Sequence, residues 1–327
     1  MSTPTSFILG VALDPTPEVP VSEVLETQVG AARTLDSGGF DFVTLDDNFH
    51  GATFDALLSA SFISTRTRQI GLVPTVTTTH TEPFHVATAT ATLDYSGRAR
   101  AGWAVAPSLT TEEAAAFGRR EAASPTLAWA ESIQVAGLVR ALWDSWEDDA
   151  EIRDARSGRF LDREKVHYID AVLTDSIAQP YTVKGPSIVP RPPQGHPPVF
   201  ITVTDADSRH AALAVADVII LPASSVDEAL DSIGATRAEL AGRSALIIPS
   251  LAIPESGAAA WLRTTAEELI DAGTEGLHLR PGALRTDVDT IVAEVVDSAG
   301  RYGIHRQSTD LRSRLGLPEA VNQFAAP

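Results

Sequence analysis

The residues best suited to chemistry in this sequence stand in four short clusters, each closing an apolar run. They are Asp46-Asp47 after residues 40–45, Thr77-Thr78-Thr79-His80 after residues 69–75, Pro107-Ser108 after residues 101–106, and Thr204-Asp205 after residues 199–203. These clusters are rich in short hydroxyls and poor in general bases. No pair of carboxylates and no histidine cluster has metal-ligand spacing, so hydrolytic and metal-dependent chemistry has little to stand on. The absence of cysteine removes disulfides, thiolate metal sites and cysteine nucleophiles together. Only Lys165 and Lys184 are lysines, which leaves a Schiff base or a phosphate-loop lysine few candidates.

Each cluster also has a structural reading. Asp46 and Asp47 could cap the helix that follows them, and Asp205 could cap one beginning near Ser208. His80 and His85 flank Glu82-Pro83 at a loop or helix start, where histidines often serve as hydrogen-bonded structural groups.

The elements that must position these clusters alternate along the chain. Apolar runs at residues 7–13, 40–45, 69–75 and 101–106 read as buried strands. Helical spacing follows over 20–37 (Val21, Val24, Leu25, Val29, Ala32, Leu35), stopped by Gly38-Gly39, and again over 54–65. After a break at Pro107, strands are predicted at 199–203, 217–221, 245–253 and 276–279. Helices are expected between them over 208–216, 226–240 and 258–272, with a last one over 287–299. Eight apolar strands, each followed by a helix, predict a parallel (β/α)8 TIM barrel in one domain over residues 1–327. A doubly wound open sheet is the weaker alternative, because no G-x-G-x-x-G follows any strand. In such a barrel the chemistry sits at the C-terminal strand ends, which is where all four clusters fall.

Residues 107–197 are too long for an ordinary connection and read as an insertion that covers or shapes the site. It holds a helix over 127–146, a charged segment in which RDARSGRF suggests a surface hairpin, and the Pro/Gly-rich stretch PYTVKGPSIVPRPPQGHPP. LWDSWEDDA at the helix end reads as aromatic packing with its acids solvated, and Trp103 as core or pocket wall.

A formal charge of −18 disfavours nucleic acid and anionic membranes as partners. The N-terminal stretch MSTPTSFILGVALDPTPEVP lacks a basic region, and its apolar run is too short to span a bilayer, so a cytoplasmic protein is expected.

Five segments together carry a likeness: GFDFVTLDD, TRQIGLVPTVTTTHTEPFHVATATATLD, RAGWAVAPS, LWDSWEDDA and LRSRLGLP. They resemble the flavin-dependent bacterial luciferase-like monooxygenases, in particular the branch of nitrilotriacetate and dibenzothiophene-sulfone monooxygenases. The resemblance implies a barrel with a long insertion after strand four, assembled as a homodimer. It also implies reduced FMN from a separate flavin reductase, and oxygenation of a small-molecule substrate in a water-excluding pocket. Carried over residue by residue, it gives cofactor-binding roles to Asp47, Thr78 and Ser108. At other family positions this chain differs. Ala104 replaces an asparagine, and Pro107 a threonine. The phosphate-reaching His and Tyr fall near Ala122 and Thr126. Asp205 stands for the phosphate-binding serine, and Val203 for the glycine before it. These differences support a second reading, a member without flavin chemistry that serves as a binding or partner subunit. A deazaflavin cofactor is a lesser third.

Overall fold

The computed structural model describes residues 7–14, 19–47, 49, 54–297 and 310–325. The first six residues, Asn48 of the acidic turn and the expected helix end at 298–299 lie outside them. Eight parallel strands close into a barrel. In chain order they are β1 (Ile8–Ala12), β2 (Phe42–Leu45), β3 (Gly71–Thr77), β4 (Trp103–Ala106), β9 (Val199–Thr202), β10 (Val218–Ala223), β11 (Leu246–Ala252) and β12 (Gly276–Arg280). Closure joins the first strand to the last, with Ile8 opposite Gly276 and Val11 opposite Leu279. The helices α1 (Val21–Gly38), α2 (Ala56–Ser64), α3 (Pro83–Ser96), α6 (Ala206–Val215), α7 (Val226–Glu239), α8 (Ala258–Asp271) and α9 (Leu284–Asp297) alternate with the strands. The fold is thus the (β/α)8 TIM barrel that the alternation predicts.

Strand alternation sorts side chains into two sets. Leu9, Val11, Val43, Leu45 and Leu72 pack outward against the helices. Ile8, Phe42, Val73, Phe200, Val218, Ile220 and Ile248 fill the interior. Across the middle of the barrel, Phe42 meets Phe200 at 5.2 Å and stacks on His278 at 5.9 Å. Gly10 makes this possible: a Cβ there would lie 2.3 Å from the Phe42 ring. Below this layer a short helix, α10 (Leu311–Arg314), closes the N-terminal end of the barrel. Leu311 and Leu315 join the interior cluster, and the Leu311 N–H donates to Ala99 O at 2.8 Å. The LRSRLGLP segment is therefore the barrel's plug.

Between β4 and β9 come α4 (Thr111–Phe117), α5 (Pro125–Asp144) and two antiparallel hairpins, β5–β6 (Glu151–Asp154, Arg159–Leu161) and β7–β8 (Asp170–Thr174, Pro180–Lys184). The first is the hairpin suggested by RDARSGRF, and Arg153 pairs there with Glu151 at 2.7 Å. The Pro/Gly-rich stretch opens as a strand, because Val183 alternates inward and Pro180 sits at the strand start, where its missing N–H costs no ladder bond. LWDSWEDDA departs from its expected solvated acids at one position. Asp144 is buried, bonded to Arg191 Nε at 3.1 Å and His196 Nε2 at 2.7 Å, while Trp143 donates to Ala87 O. Burial pushes the Asp144 carboxyl up, but the His196 hydrogen bond and charge, the Gln323 N–H and the Arg191 charge together hold it below its ordinary value.

Candidate active site at the barrel mouth

Above the Phe42–Phe200–His278 layer the interior residues become small or polar. Thr44 Oγ1 and Ser250 Oγ hold the two nitrogens of His278 at 3.0 and 2.8 Å. Burial, with Arg280 adding to it, keeps this imidazole neutral and pushes its pKa down to about 3. The next inward positions, Ala104, Ala106 and Thr202, retain solvent contact, so the barrel is open from this level upward. Asp14 and Asp46 extend the inward rows of β1 and β2. The Asp46 N–H donates to Asp14 Oδ1 at 2.8 Å, and Asp46 in turn takes a hydrogen bond from Thr75 on β3. Asp14 touches solvent on one side and is packed round on the others. That packing, with Asp46 nearby, pushes its pKa up to about 6.

The wall formed by β3 and β4 is different. Thr77 Oγ1, Ser108 Oγ and His80 Nδ1 are buried and have no hydrogen-bond partner. Their residues are 4%, 2% and 7% exposed. Buried polar atoms without partners are uncommon, and three at the ends of two adjacent strands mark a place for a polar ligand. Thr79 ties the two strand ends by accepting the Ser108 N–H at 2.9 Å. His80 stacks on Phe117 of α4 at 4.8 Å, and burial followed by the Arg120 charge lowers its pKa. Next to it opens a cavity of about 240 Å³ between the β3–α3 loop, α5 and the β7–β8 hairpin, lined by Thr79, His80, Arg120, Glu131, Ile177 and Tyr181. Arg120 is held there by Glu131 at 3.1 Å and Asp175 at 3.5 Å, so its charge is already matched.

The β9 end, among the described residues, carries no cation. Asp205 accepts from the Ser208 N–H at 2.8 Å, and the Ser208 hydroxyl reaches back to the Asp205 N–H, a reciprocal box that closes the start of α6. Those hydrogen bonds hold the Asp205 carboxyl below its usual range. Thr126 Oγ1 bonds Asp207 at 3.2 Å, filling the space between α5 and α6. The cap reading of Asp205 is the one the structure contains.

The residues singled out in the sequence are thus divided. Ser108 stands in the wall with its hydroxyl unpartnered. Thr78 points out of the barrel, bonded to Ser132 Oγ of α5 at 2.6 Å. Asp47 accepts the Ala56 N–H at 2.8 Å, at the first turn of α2, while Asp55 forms the cap proper. Thr77 belongs to one of the four clusters but takes no cofactor role from the resemblance, while Asp14 and His278 lie outside the clusters altogether. The alternation Val73, Thr75, Thr77 would have singled out Thr77, since β3 runs two residues beyond the expected end at 75. Asp14 and His278 carry no local signal, because only barrel closure brings β1 and β12 together.

Known proteins agree with this geometry. A family model described as luciferase-like monooxygenase matches residues 6–310. Nitrilotriacetate monooxygenase component A of Aminobacter aminovorans is 34% identical over 208 residues, 57% of this chain and 45% of that protein. The chain therefore spans less than half of that relative's length. One of the subunits of pristinamycin IIA synthase from Streptomyces pristinaespiralis is 30% identical over 304 residues and is matched over 92% of both chains. Among solved structures, riboflavin lyase with modified FMN and riboflavin superimposes with a TM-score of 0.82 over 96% of each chain, at 19% identity, which shows a common fold. With the barrel, the insertion after β4 and the polar mouth in place, the family match over nearly the whole chain shows that it belongs to the luciferase-like monooxygenases.

Proposed function

We propose that this chain is a monooxygenase that takes reduced FMN from a separate flavin reductase and uses molecular oxygen to oxygenate a small organic substrate, in the cytoplasm. The observation that carries this reading is the set of unpartnered buried atoms on Thr77, Ser108 and His80, which fit the polar edge of a flavin ring. When bound and reduced, the flavin supplies the electrons that activate oxygen. Thr77 and Ser108 bind the ring directly. Thr78, through Ser132, ties the end of β3 to α5, and Asp47, through Ala56, ties the end of β2 to the start of α2. Ala104 and Ala106 leave room above the Phe42–Phe200 layer. The cavity beside His80 receives the substrate, and the β7–β8 hairpin and α5 shield it from water. A homodimer accords with Phe54, Leu58 and Phe62, an outward apolar stripe on and just before α2 in which Leu58 is 69% exposed. Anaerobic fluorescence titration with reduced FMN and with a deazaflavin tests the reading. Saturable binding of reduced FMN is expected, and binding of no flavin at all overturns it.

One observation favours a second reading. The pristinamycin IIA synthase relative, matched along almost its full length, is one component of a multi-chain enzyme by name. A partner subunit without flavin chemistry would bind no flavin in the same titration.

A further inference from the structure

The mouth of this barrel treats neutral and anionic groups in opposite ways. In barrels, phosphate groups are commonly met by helix N-termini and by basic side chains. Here, at α2 and α6, carboxylates of the chain itself accept from helix amides, and at α7 and α9 they accept from the residues just before the helix. Asp47 and Asp55 accept from Ala56 and Leu58 at the start of α2. Asp205 accepts from Ser208 at α6, Glu228 from Ser224 just before α7, and Asp287 from Gly282 and Ala283 just before α9. Two further openings have an acid close in sequence but no side-chain cap: α3 begins on Glu82-Pro83, and α8 on Gly257, two residues after Glu255.

The two arginines beside the cavity are matched. Arg120 lies between Glu131 and Asp175, and Arg119 faces Glu82 at 3.7 Å. Arg280, at the end of β12, reaches Ala223 O at 3.5 Å and has no carboxylate partner among the described residues, which makes it the one rival holder of a phosphate that the test must address. The unpartnered atoms are of another kind. Thr77 Oγ1, Ser108 Oγ and His80 Nδ1 belong to uncharged groups suited to the carbonyls and ring nitrogens of a neutral heterocycle.

We propose that this chain holds flavin by its ring system alone and leaves the phosphate in solvent, so that it binds riboflavin at least as tightly as FMN. The inference rests on the flavin reading above. A dianionic tail near Asp205, Asp207 and Asp47 is repelled, and salt weakens that repulsion.

Calorimetric titration of the full chain with riboflavin and with FMN, at low and at high salt, reads this directly. Riboflavin is expected to match or exceed FMN in affinity, with the gap narrowing as salt rises. Asp205→Asn preserves a good helix cap. It should tighten FMN relative to riboflavin while leaving riboflavin unchanged. A preference for FMN of about tenfold or more overturns the inference and leaves the flavin reading standing; if Arg280→Gln then abolishes that preference, the guanidinium is the phosphate holder. Failure of both flavins to bind overturns the parent reading and this one with it.

Discussion

Two titratable residues at the mouth make opposite demands on pH. His278 is kept neutral in the fold, with a pKa near 3 against an ordinary value of 6.5. Below pH 6.5 the unfolded chain takes up a proton that the fold refuses, so stability is full above 6.5 and falls as pH drops toward 3. The loss should be about 2 kcal/mol between pH 6.5 and 5. Urea unfolding at the two pH values should show His278→Gln lacking this component, and an unchanged slope would contradict it. Asp14 runs the other way. Its pKa is raised from 3.8 to about 6, so its favourable contribution is present below 3.8 and is gone above 6. Asp14→Asn keeps an oxygen for the Asp46 N–H. It should stabilise the protein near pH 8 by about 1 kcal/mol, after discounting for its solvent contact. Thermal melts near pH 4 should show no gain. Neither residue could be picked from sequence, because each is defined by neighbours distant along the chain. Ser108 could, since a hydroxyl just beyond an apolar strand has a foreseeable place in a barrel.

At the scale of elements, the strands were legible because apolar runs of the right length between helical periods leave few other folds. The insertion was legible in extent and hardly at all in content. The β7–β8 hairpin is a polar-faced pair whose buried strand residues are only Leu173 and Val183, too few to register as periodicity. The plug was noticed as a motif, yet its role depends on the hole it fills. Leu311→Ala should cost about 3 kcal/mol in denaturant unfolding, the usual range for an emptied core leucine. Gly71→Ala places a Cβ 2.5 Å from Leu311 Cδ1 and should be costly alone. Combined with Leu311→Ala it should cost distinctly less. Strictly additive effects would mean that the two do not touch.

The molecule as a whole carries a charge of −18, foreseen from composition, with carboxylates concentrated at the helix starts around the mouth. Self-repulsion of this size predicts a melting temperature that rises by a few degrees from low to physiological salt. A melting temperature that falls would show that attractive pairs such as Arg191–Asp144 dominate instead. The plug also has a temporal side. Ile8, Val218 and Leu246 lie at the floor that Leu311 and Leu315 seal, and the edge of β1 away from β2 has its partner only at Gly276–Arg280. A growing chain therefore leaves the ribosome with an unclosed sheet edge and an open apolar floor for most of its synthesis. Chaperone demand should persist until Leu311 and Leu315 emerge.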